Sequence, residues 1–134
     1  MTVETWNDKL QQCEKIIDSS YENKTWRIDL NDILCPLMNQ ADKWHCCAIG
    51  EILEIPEPEE DNQKNALKFA IRCKDDDLYE MGLLFAAALH DGDVKRAIHY
   101  KKQIDKKLTP ELIAKIKEAY AKELEYKGPF DFDY

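Results

Sequence analysis

The chain has 134 residues, 44% of them hydrophobic and 34% charged, with only four glycines and five prolines. That balance excludes a collagen-like or low-complexity chain and supplies enough apolar material for one buried core. The formal net charge of −8 argues against direct nucleic-acid binding, which needs clustered Lys and Arg, and favours solubility and basic partners.

The first predicted element is "TVETWNDKLQQCEKIIDSS", where Val3, Trp6, Leu10, Cys13 and Ile17 fall on one helical stripe. Thr2 is available as its N-cap, and Asp18-Ser19-Ser20 fits its exit. "YENKTWRIDLNDILCPLMNQ" is less regular. Asp29, Asn31 and Asp32 are cap candidates, Pro36 sits where a first helical turn tolerates it, and "TWRIDL" also reads as a short extended piece.

From Asp42, "DKWHCCAIGEILEI" reads as one helix, with Trp44, Cys47, Ala48, Ile52 and Ile55 on one side and Gly50 allowing a neighbour to approach. Glu51 and Glu54 are expected to face solvent on it. "PEPEED" then breaks the pattern, and its prolines and carboxylates make residues 56–62 an exposed acidic loop.

In "NALKFAIRC", Ala66, Leu67, Ala70, Ile71 and Lys74 share helical spacing, and Asp75, Asp76 and Asp77 supply the next N-cap. "LYEMGLLFAAALH" is apolar nearly all round, which predicts a central helix over about 77–90, with Gly82, Ala86 and Ala87 permitting close approach. After "DGD", Val94, Ala97, Ile98, Ile104 and Leu108 form the stripe of the next helix. "TPEL" opens the last: Thr109 caps it, Pro110 takes its first position and Glu111 faces the dipole. Leu112, Ile113, Ile116, Ala119, Tyr120 and Leu124 form its stripe, and Gly128-Pro129 stops it. The expected fold is all-α: a single compact bundle of about six to seven helices over 1–128, followed by an acidic-aromatic tail at 129–134.

Two stretches offer chemistry. "AAALHDGDVK" resembles the signature of HD-domain phosphohydrolases, in which an apolar helix ends in a metal-binding His-Asp step. The resemblance implies His90 and Asp91 as metal ligands of a metal-dependent phosphohydrolase. That family also places a histidine near the start of the preceding helix, where this chain has Asn62 and Gln63, and a catalytic metal needs at least three converging ligands. The same stretch also resembles a tetratricopeptide-like helical hairpin, with "LYEMG" in one helix, "GD" in the turn and "KRAIHYKKQI" in the next. The spacing from Gly82 to Gly92 is longer than that family's, and no second copy follows. As a plain turn, the run needs no metal: Gly92 takes a positive φ and Asp93 caps the following helix. This second reading is preferred, with no cofactor and no catalytic residue assigned.

The second stretch, "CPLMNQADKWHCC", brings zinc-type residues Cys35, His45, Cys46 and Cys47, but not at finger or ribbon spacing. Its cysteines, like Cys13, are expected to pack in the core, and His45 is expected to face solvent. "MTVETWNDKLQQ" lacks the apolar core of a secretory signal, and the apolar run Met81 to Leu89 falls short of the roughly 20 residues that span a bilayer. Reduced thiols and a cytoplasmic location are therefore expected.

In the tail, Phe130, Phe132 and Tyr134 alternate with Asp131 and Asp133. An extended strip of this kind carries rings on one side and carboxylates on the other, and suits an apolar groove edged by Lys or Arg, on a partner or on this chain itself. The expected function is a small acidic protein-binding or inhibitory module of phage, mobile-element or immunity type. Its partner-binding residues are Glu57, Glu59, Glu60 and Asp61 together with Phe130 to Tyr134, and its partner is a protein with a basic surface. A special case is imitation of nucleic acid by the loop carboxylates and Asp75 to Asp77.

Overall fold

The computed structural model describes residues 3–19, 26–43 and 48–127, which form seven α-helices and no strand. The first helix, α1 (Val3–Asp18), buries Trp6, Leu10 and Cys13, successive turns of the expected stripe. The Ser19 hydroxyl closes it by donating to the carbonyls of Lys15 and Ile16 at 3.1 and 3.2 Å. Residues that would test the Thr2 cap lie outside the described segments.

Helix α2 (Trp26–Lys43) corrects the reading of this region, because one helix runs through both "TWRIDL" and Pro36. Leu30, Leu34, Leu37 and Ala41 recur at helical spacing and are all buried, each leucine contributing about 1.5–3 kcal/mol. Together they outweigh the roughly 3 kcal/mol that an interior proline costs through its missing N–H. Pro36 sits on the exposed face. Asp42 lies in the last turn of α2 and does not open the next helix.

Helix α3 is short (Ala48–Ile52) and buried along its whole length. It ends before Ile55 because Glu54 turns the chain at φ 59°, a left-handed conformation that a helix cannot continue through. The Glu54 and Ile55 N–H groups donate back to the carbonyls of Glu51 and Gly50 at 3.0 and 3.1 Å. Glu51, expected at the surface, is only 5% exposed. The close approach forecast for Gly50 occurs one residue earlier and involves Gly82. A Cβ added to Gly82 would lie 2.9 Å from Ile49 Cγ1, so the missing side chain lets α3 settle onto α5.

Helices α4 (Asp61–Lys74) and α5 (Asp76–His90) share Asp75 as their junction. Its N–H closes α4 on Ile71, while its carboxylate accepts the Leu78 N–H at 3.0 Å, the N-cap the aspartate run predicts. Lys107, at the end of α6 (Val94–Lys107), donates to that same carboxylate at 3.3 Å and ties three helices together. Helix α5 is central. It buries Leu78, Gly82, Phe85, Ala86, Ala88 and Leu89 and packs against α2, α3, α4 and α6. It also meets α1 edge-on, through Trp6 and Phe85 with ring centroids 5.5 Å apart. Ala87, read as a contact position, is exposed.

The α5–α6 turn follows local chemistry. Gly92 has φ 71°, and the Asp93 carboxylate accepts the Arg96 N–H at 3.2 Å. Helix α7 (Pro110–Lys127) begins as expected: the Leu112 N–H donates to Thr109 Oγ1 at 3.2 Å, and Pro110 occupies the first position, where no intrahelical donor is needed. Helix α7 lies along α4, with Ile116 fully buried.

Candidate functional site

The acidic loop between α3 and α4 is clipped down from beneath. Leu53, Ile55 and Pro58 are buried, while Glu54, Glu57, Glu59 and Glu60, together with Asp61 at the start of α4, are exposed. Alternation of apolar anchors and carboxylates thus turns the charges outward. The far end is fastened by Gln63, whose side-chain oxygen accepts the Glu59 and Glu60 N–H groups at 3.0 and 3.4 Å. Among the described residues no ion pair involves Glu57, Glu59, Glu60 or Asp61. Four carboxylates are therefore held over a few residues of anchored backbone, with no cation among the described residues paired to them.

The aspartate run at 75–77 is used differently. Asp75 caps α5 and pairs with Lys107, Asp77 lies 4.0 Å from the same Lys107, and Asp76 lies 3.7 Å from Arg72. These carboxylates already have local partners, and the structure joins them to helix termini.

At the end of α5, the His90 ring donates from Nε2 to the Asp42 carboxylate on α2, in an exposed pair. Asp91 continues the chain as the C-cap of α5. Asn62 and Gln63 stand where the HD resemblance would need a histidine, and they serve the start of α4: the Asn62 side-chain oxygen accepts the Gln63 N–H at 2.9 Å. Among the described residues no group of three or more His, Cys, Asp and Glu side chains could hold a metal ion. His90 and Asp91 are therefore not joined by a third ligand among the described residues.

The cysteines divide. Cys13 is buried, and burial pushes its thiol up to about 11, so it stays protonated at neutral pH. Cys35 is exposed, contrary to the core expectation, because it falls on the outward side of its helix, and Cys73 is exposed on α4. His45, Cys46 and Cys47 lie outside the described residues, as do Phe130, Asp131, Phe132, Asp133 and Tyr134.

The structure also shows a charged site missed in the sequence. Lys101 takes a place in the core stripe of α6, between Ala97 and Ile104, and is 1% exposed. Its Nζ donates to Asp105 Oδ1 at 2.6 Å, and Asn7 of α1 donates to the other carboxylate oxygen at 3.2 Å. Desolvation holds the Lys101 ammonium below the usual lysine range, against the opposing pull of Asp105. The signal for this residue is its register: positions 94, 97, 101, 104 and 108 complete one helical face on which only residue 101 is polar.

No helix among the described residues is long and apolar enough to cross a membrane. Comparison with protein-family models, curated proteins and solved structures finds no match to this chain.

Proposed function

We propose that this protein is an acidic, cytoplasmic binding module that docks onto a basic surface of another protein through the loop carboxylates Glu57, Glu59, Glu60 and Asp61. The observation that carries the reading is an anchored loop whose carboxylates make no ion pair among the described residues. A backbone fixed by buried Ile55 and Pro58 and by Gln63 presents those four charges in place. An anchored backbone has less freedom to lose on binding, and clustered charges steer a partner of opposite sign during encounter. A surface that served only to repel other molecules would need neither the anchors nor the clustering. The reading does not rest on the aspartates at 75–77, of which Asp75 caps α5 and pairs with Lys107.

The test is paired affinity capture from the native cell. The bait is the intact chain, beside a chain carrying Glu57→Gln, Glu59→Gln, Glu60→Gln and Asp61→Asn. The expected result is a basic protein retained by the first bait and lost from the second, with binding weakened by salt. A partner retained equally by both baits would contradict the reading.

A further inference from the structure

The strongly acidic chain carries a surface of opposite character in the groove between α4 and α7. Its floor is apolar or weakly polar: Phe69, Ala70 and Cys73 on α4 and Ala119 on α7 line a cavity of about 240 Å³. Phe69 is 53% exposed and adds an accessible ring to that floor. Lys74 and Lys115 line the same cavity, and Lys68 and Arg72 continue the basic rim along α4. Carboxylates are present too: Glu118 pairs with Lys122 at 3.0 Å, Asp76 lies 3.7 Å from Arg72, and Glu123 also lines the groove. With five cationic side chains against three carboxylates, this is a positive, apolar groove on a protein of charge −8.

We propose that the groove receives residues 130–134 of the same chain, with Phe130, Phe132 and Tyr134 over Phe69, Cys73 and Ala119 and with Asp131 and Asp133 among the rim lysines. Three observations point to this occupant. The sequence alternates rings and carboxylates over these five positions, the pattern that an apolar floor edged by lysine selects. The groove starts close to where the segment leaves α7: its lining on that helix runs from Lys115 to Glu123, a rise of about 12 Å. Five extended residues span about 17 Å, enough to run back along it after Gly128-Pro129 interrupts the helical pattern. A linker this short also gives an effective concentration in the millimolar range, which favours the segment of the same chain over one from another molecule. The inference does not depend on the acidic loop, which lies elsewhere in sequence and has the opposite charge.

Cys73, on the groove floor, reports occupancy. The rate of iodoacetamide modification at Cys73 is followed by mass spectrometry in the full chain, with the exposed Cys35 on α2 as internal reference. The comparison is a full-length variant with Phe130→Ser, Phe132→Ser and Tyr134→Ser, its helicity checked by circular dichroism. A groove covered two-thirds of the time slows reaction threefold, so the variant is expected to react at Cys73 about threefold faster or more, with Cys35 unchanged. High salt acting on the unsubstituted chain should raise the Cys73 rate in the same direction. Equal Cys73 rates in the two proteins would overturn the proposal. Protection that grows with protein concentration would assign the groove to a second copy and overturn the same-chain assignment.

Discussion

The pair Lys101–Asp105 gives the sharpest energetic test of the packing, because its two members should respond unequally to substitution. Replacing Asp105 by Ala removes the acceptor of a lysine whose side chain is 2% exposed, and it also leaves Asn7 without its acceptor. Breaking a fully buried pair from one side costs about 3–5 kcal/mol. Asp105 is itself 27% exposed, and Lys101 can shed its proton, so about 2–4 kcal/mol is expected. Lys101→Met removes the charge and keeps an unbranched stem in the α6 stripe. Asp105 then keeps its Asn7 donor at 3.2 Å and its 27% exposure to water, so the loss should be smaller, about 1–2 kcal/mol. At this chain length each kcal/mol moves the melting temperature by roughly 3–5 °C, so calorimetry resolves the two variants easily. The pH dependence supplies a second reading. Desolvation lowers the Lys101 pKa below the free-lysine value of 10.5. Between the folded value and 10.5 the unfolded chain therefore binds a proton that the folded chain lacks, and stability gains with rising pH across that window. The unsubstituted protein should gain stability relative to Lys101→Met as pH rises toward 10.5. A Lys101→Met variant as damaged as Asp105→Ala, or a gap that moves in the other direction with pH, would refute the account of Lys101 as a desolvated core cation.

Three further outcomes follow from local geometry. Gly92→Val should destabilise by about 1–2 kcal/mol in urea unfolding, since its φ of 71° suits glycine and strains a β-branched residue. His90→Ala and Asp91→Ala should each change stability by less than about 1 kcal/mol, because the His90–Asp42 pair is exposed and Asp91 forms only a turn. Alkylation at neutral pH, read by mass spectrometry, should label Cys35 and Cys73 in the folded protein and Cys13 only after unfolding, because the Cys13 thiol is buried and its pKa is raised to about 11.

What was legible in the sequence was whatever short-range chemistry decides. Asp75, Gly92 with Asp93, and Thr109 with Pro110 mark four helix termini where the structure has them, since each works through a hydrogen bond or a φ value within a few residues. The central helix was legible because a segment apolar on nearly every side has to be surrounded. Helix α2 was not, since polar cap candidates and Pro36 suggested breaks that the Leu30, Leu34, Leu37 and Ala41 face overrides through tertiary burial. The end of α3 was misjudged for a related reason: a left-handed glutamate at position 54 leaves no mark in composition. Of the candidate site, the acidic loop could be read directly from its prolines and carboxylates. Its buried anchors, the His90–Asp42 pair and the basic α4–α7 groove bring distant segments together, and a single sequence does not show which lysines will share a groove. Lys101 falls in register with the core stripe, but lysine is almost never fully buried, so residue type masks its place there.

The claim that matters most is that the location of charge, and not its total, makes the loop a binding surface. The direct measurement is the salt dependence of affinity for the captured basic partner, compared across three proteins. One is unsubstituted, one has Glu57, Glu59, Glu60 and Asp61 neutralised as amides, and one has four other exposed carboxylates, Glu4, Asp8, Glu111 and Glu125, neutralised in the same way. The account predicts that the loop variant loses about fivefold or more in affinity and most of the salt dependence, while the control variant with the same net charge keeps both. Equal losses in the two variants would contradict it, since binding would then follow net charge wherever that charge is placed.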